Sequence, residues 1–169
     1  IERWLIEFMV SQGLPRIIKN RTVTAMKSIL EGHLHDILTL AICHKPTARA
    51  MIVYDRESGL SRALTDAYHS VLPHATMLEF SPGAVDEIRE SVNVLTQGDL
   101  VILVQSSSFR LNDFRFRLEL FNRNLAVIEH PHLARMPEEE HQTYIDALAY
   151  DLVYYRTLGP KLKERIDAA

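Results

Sequence analysis

A chain of 169 residues, 47% hydrophobic and 24% charged, has the apolar content to bury one layered core and is neither disordered nor fibrous in composition. Its formal net charge of −3 argues against whole-surface attraction to nucleic acid or to an anionic membrane, and no apolar run approaches the roughly 20 residues that span a bilayer. Cys43 is the single cysteine, which excludes an intrachain disulfide and a cysteine-based zinc site and fits a reducing, cytoplasmic compartment.

The predicted elements begin with two helices. Leu5, Phe8 and Met9 recur at helical spacing before Gly13-Leu14-Pro15 ends the first. Thr22 or Thr24 can cap the second, which reaches about His44 with Met26, Ile29, Leu30, Leu34, Ile37, Leu38 and Ala41 on one face. The rhythm then changes. Ala48–Tyr54 reads as a short strand, and Ser58–Leu72 as an amphipathic helix with Leu60, Leu64, Ala67, Tyr68 and Val71 at steps of three and four. Ala75–Phe80 is a second strand, and Ser81-Pro82 starts a helix that runs to about Leu95. Leu100–Gln105 holds an uninterrupted apolar run, the pattern of a parallel strand covered on both faces.

The stretch Phe114–Leu120 alternates like a strand, yet Leu111, Phe114, Leu118, Phe121 and Leu125 also fall at helical steps. A crossover is needed there to join two parallel strands, which decides for a helix. Leu125–Glu129 is the fourth strand. Pro137-Glu138-Glu139-Glu140 then opens a long helix with acidic residues at its positive dipole end, continuing through Tyr144, Leu148, Leu152 and Tyr155 to Gly159-Pro160. Strand and helix thus alternate four times. That predicts an α/β fold, a three-layer doubly wound (Rossmann/flavodoxin-like), mostly parallel four-stranded sheet of order 2-1-3-4. Residues 1–45 form an N-terminal helical extension packed on the core, and 46–169 the Rossmann-like domain. The chain opens without a methionine and closes inside a helical pattern, so part of a longer protein is expected.

Ligands of such sheets bind beyond the carboxyl ends of the strands, where the winding reverses. The third strand ends in Gln105-Ser106-Ser107-Ser108-Phe109-Arg110. Three hydroxyls and backbone N–H groups at a helix start, with a guanidinium beside them, suit a phosphate or carboxylate. The competing reading has the serines cap the helix and Arg110 pair with an acidic neighbour. On the first reading, Arg110→Ala abolishes binding of an anion and leaves the melting temperature unchanged. After the first strand, Asp55 can hold a hydroxyl, a metal or an amine, and Ser58 can bind ligand or simply cap a helix. Neither a dinucleotide-binding glycine pattern nor a P-loop occurs.

Glu129-His130-Pro131-His132 follows the fourth strand. Two imidazoles two apart in an extended loop can face one way, and Glu129 can join them around a substrate or a metal; the alternative is a rigid, solvent-facing turn. His33 and His35 lie two apart on a helix and point to different faces, His69, His74 and His141 read as surface or boundary residues, and Cys43 as a small buried hydrophobe. Arg115, Arg117 and Arg123 interleave with Phe114 and Phe116, but Asp113, Glu119 and the net acidity argue against RNA. The expected site residues are therefore Asp55, Ser58, Ser106, Ser107, Ser108, Arg110, Glu129, His130 and His132.

From about Arg49 to Met136 the pattern resembles the N-terminal domain of the thermophilic metallo-aminopeptidase family. The similar features are the strand Met51–Tyr54 with its helix Leu60–Leu72, the segment Gly98-Asp99-Leu100-Val101-Ile102, and the closing helix toward Ile166-Asp167-Ala168-Ala169. The resemblance implies a substrate-bounding domain of a metal-dependent hydrolase. In that family carboxylates, histidines and a tyrosine of a C-terminal domain hold two metal ions, and no segment here matches that domain. The implied divalent metals therefore belong to a missing domain, with no cofactor in this chain, and no catalytic residue is carried over from the family. Three functions follow. One is a binding domain for a small anionic molecule or peptide substrate through Ser106, Ser107, Ser108 and Arg110. The second is a non-catalytic interaction module whose N-terminal helices pack on a partner or a second copy. The third is an enzyme using Asp55, Glu129, His130 and His132.

Overall fold

The structure, a computed structural model, describes residues 16–108, 110–111 and 114–168. The helix predicted over residues 1–12 lies outside the described residues. Strands β1 (Ala50–Tyr54), β2 (Thr76–Glu79), β3 (Leu100–Val104) and β6 (Ala126–His130) form one sheet in the order β2-β1-β3-β6. Every pairing is parallel, with Ala50 opposite Leu100 and Leu100 opposite Ala126. Two further strands, β4 (Arg110–Leu111) and β5 (Phe114–Arg115), make a short antiparallel hairpin beyond β3.

Alternation along β1 and β3 divides the core between the two faces of the sheet. Ile52, Leu100, Ile102 and Val104 face α2 (Gly59–Val71) and α1 (Arg16–Asp36), in a cluster with Leu34, Leu60, Leu64 and Tyr68. Met51, Val53, Val101 and Leu103 face α3 (Val85–Asn93) and α4 (Phe116–Asn122), in a cluster with Ile88, Val92, Phe116 and Leu120. All five residues of β3 are buried, as its apolar run requires. Helix α2 lies on one face and α3 and α4 on the other, as right-handed crossovers in this strand order demand.

Several expectations are corrected. The second predicted helix is already formed at Arg16, the first described residue, and runs through Thr22 and Thr24, and its last turn, Ile37–Ala41, widens into a π-helix. It stops where Cys43 adopts a left-handed backbone (φ 53°), and Cys43 is exposed rather than buried. The ambiguous stretch after β3 is both elements in turn, first the hairpin and then the seven-residue α4. The long helix expected from Pro137 breaks in two: α5 (His141–Asp146) and α6 (Leu152–Asp167). Asp151 caps α6 by accepting from the Tyr154 N–H at 2.8 Å. Gly159-Pro160 lies inside α6 instead of ending it, and no residue of α6 is buried. Among the described residues no helix is long and apolar enough to cross a membrane.

Candidate functional site: the rim at the strand carboxyl ends

At the switch point Asp55 and Ser106 follow the neighbouring strands β1 and β3, and the two bind each other. The Ser106 N–H donates to Asp55 Oδ2 at 2.7 Å, and its hydroxyl donates to Asp55 Oδ1. The Ser58 N–H donates to Ser106 Oγ at 3.1 Å, and Ser61 Oγ stands 3.1 Å from that hydroxyl. Ser58 closes the cluster as the N-cap of α2. Its side chain accepts from the Ser61 N–H at 3.0 Å while the Ser61 side chain accepts from the Ser58 N–H at 3.1 Å, a reciprocal capping box. Asp55, Ser61 and Ser106 are all buried. Burial of a carboxylate is tolerable only with such donors around it. This network therefore ties two strand ends to a helix start and fills the crevice in which the topology would place a ligand.

Glu129 and His130 are adjacent in β6, so their side chains leave opposite faces of the sheet. His130 is the last residue of the strand rather than part of a loop, and it is buried. Its Nε2 lies 2.7 Å from Tyr68 Oη and its Nδ1 lies 2.8 Å from Tyr144 Oη, bridging α2 and α5. Burial pushes the imidazole down to about 4, and the same cause pushes the Tyr144 hydroxyl up to about 12 and the Tyr68 hydroxyl upward too. A neutral imidazole donates through one nitrogen and accepts through the other, and one tyrosine on each side suits both roles.

On the other face, Glu129 Oε2 accepts from Arg117 Nη1 of α4 at 2.9 Å, and Oε1 accepts from Gln105 Nε2 at 3.1 Å. Beside this pair, Ser108 Oγ and His132 Nε2 are 3.3 Å apart. His132 holds a left-handed backbone (φ 59°) that turns the chain after Pro131. Gln105, Ser108, Phe116, Arg117, Glu129 and His132 line a cleft of about 240 Å³. Among the described residues Arg117 Nε, buried there, has no hydrogen-bond partner, and such a donor carries a desolvation penalty until it finds an acceptor.

The expected rim residues thus fall into two groups with the sheet between them. Asp55, Ser58, Ser106 and His130 lie with the α2 face and the switch point, in closed networks. Ser108, Glu129 and His132 open on the α4 face. The imagined cluster of Glu129, His130 and His132 does not form. Among the described residues no three histidine, cysteine, aspartate or glutamate side chains stand close enough to hold a metal ion. Ser107 is exposed. The Arg110 backbone belongs to the hairpin, not to a helix start, and its side chain lies outside the described residues.

Arg117, Tyr68 and Tyr144 are the residues that sequence reasoning passed over. A tyrosine on the apolar face of a helix needs a polar partner once buried, which was a readable signal for Tyr68. Arg117 was hidden by the two competing periodicities of its segment. Comparison with protein-family models, with curated proteins and with solved structures gives no match for this chain.

Proposed function

We propose that this domain bounds the substrate cleft of a metal-dependent hydrolase of the metallo-aminopeptidase type, holding a carboxylate of a peptide or another small anion at the β3–β6 rim. The observation that carries this is the cleft of Gln105, Ser108, Arg117, Glu129 and His132, with a guanidinium nitrogen that has no partner among the described residues. At about 240 Å³ the cleft is smaller than the roughly 300–1,000 Å³ of sites that enclose a whole drug-sized ligand. It suits a terminal group rather than a complete molecule. The Arg117 side chain is 37% exposed and can turn Nε toward an oxygen entering beside Ser108 and His132. Glu129 remains as its counter-charge. Catalytic metals, on this reading, belong to a separate domain.

Calorimetric titration with a dipeptide and with its C-terminal amide tests the reading. The free carboxylate should bind more tightly, and Arg117→Met should remove the difference, a loss of about tenfold for one charge-assisted contact. Equal affinities of the wild type for both peptides would reject it.

One observation favours the alternative of an association module. Tyr155, Leu158, Leu162 and Ile166 make an exposed apolar stripe along α6. A 16-residue helix with Pro160 at its centre is marginal in water without cover. A second copy of the chain can supply that cover, helix against helix. Sedimentation should then show a dimer that Leu158→Glu/Leu162→Glu converts to monomer; a monomeric wild type contradicts this reading.

A further inference from the structure

Helix α6 stands clear of the core: Leu152 is half-buried and every other residue of the helix is exposed. At 3.6 residues per turn Tyr155, Leu158, Leu162 and Ile166 share one face. The charges around that stripe are sorted by sign. Arg165 and Lys161 border it on one side, and Lys163 and Arg156 on the other. Glu164 and Asp167, the acidic residues of the helix, lie beyond these cations on the far face. Asp167 Oδ2 accepts from Lys163 Nζ at 2.6 Å, whereas among the described residues no carboxylate pairs with Arg156, Lys161 or Arg165. Asp151, at the N-terminal end, is engaged as the cap.

A helix lying in a bilayer surface needs this order around its axis. Its apolar face enters the acyl boundary, basic side chains at the border snorkel to the phosphates, and acids stay in water. Tyr154 and Tyr155 add aromatic rings at the first turn, of the kind that settles at headgroup level. Tyr155 stacks on Tyr150 with ring centroids 5.0 Å apart, and Tyr154 meets it edge-on. The chain as a whole is acidic, so an anionic surface is repelled elsewhere and admitted along α6. A second copy is the poorer cover, because α6 against α6, in either direction, sets one basic flank against another.

We propose that α6 docks on an anionic lipid surface, lying in the interface with Tyr155, Leu158, Leu162 and Ile166 inserted and the basic flanks on the phosphates. This site is independent of the rim cleft. Flotation of the whole chain with phosphatidylcholine vesicles, with and without phosphatidylserine, tests it. Phosphatidylserine should strengthen binding about tenfold or more, and the gain should fade at high salt. Lys161→Gln/Arg165→Gln should weaken binding about tenfold, and Leu158→Glu/Leu162→Glu should abolish it, both with the melting of the core unchanged. The inference is overturned if the chain floats with neither vesicle, if both compositions bind alike, or if Lys161→Gln/Arg165→Gln leaves binding unchanged. A non-floating dimer that Lys161→Gln/Arg165→Gln tightens would overturn it as well and assign the stripe to a second copy.

Discussion

Asp55 and His130 are both titratable and buried, and in each the lone pairs or protons are taken up by hydroxyl and backbone groups. Asp55→Asn keeps the shape but sets an amide NH2 against the Ser106 donors, so it should lower stability by about 2 kcal/mol or more, read as a lower urea midpoint. His130 has its own pH signature. Its folded value of about 4 lies below the 6.5 of an exposed histidine, so between these values the unfolded chain binds the extra proton. The contribution is complete above pH 6.5 and is lost as pH falls toward 4, by about 3 kcal/mol in total. Unfolding of wild type and His130→Gln across that window checks this, and the variant should lack the slope. Asp55 and Ser58 were readable as strand-end and capping residues. Their union with Ser106 was not, because a sequence does not show which side chains meet across two strands.

Among the elements, α2 and β3 were the most legible. Ser58 caps α2 as the serine before an amphipathic run should, and Ser58→Ala should cost about 1 kcal/mol in thermal or urea unfolding. The helix expected after β3 is present from Phe116, behind a two-residue strand, whereas the helix after β6 was misread as continuous for a physical reason. Helical spacing continues through a break when the residues on either side keep period, and Tyr144, Leu148, Leu152 and Tyr155 do so across Asp151. A proline in a pattern predicts an ending only if the helix is packed well enough for its end to matter, and α6 is exposed throughout. Pro160→Ala should therefore raise the helical circular dichroism while leaving the melting of the core unchanged.

Across the whole molecule, strand order and parallel direction followed from the alternation of short apolar strands with amphipathic helices, and the sheet order β2-β1-β3-β6 agrees. The single converging rim did not follow. Period two in β6 sends Glu129 and His130 to different faces, so the sheet divides the strand ends into a sealed side and an open side. The proposed ligand recognition belongs to the open side. Amide chemical-shift mapping during titration with a dipeptide tests that most directly. Shifts should concentrate at Ser108, Arg117, Glu129 and His132 while Asp55, Ser106 and His130 stay still. Shifts centred on Asp55 and Ser106, or nowhere, would contradict the account.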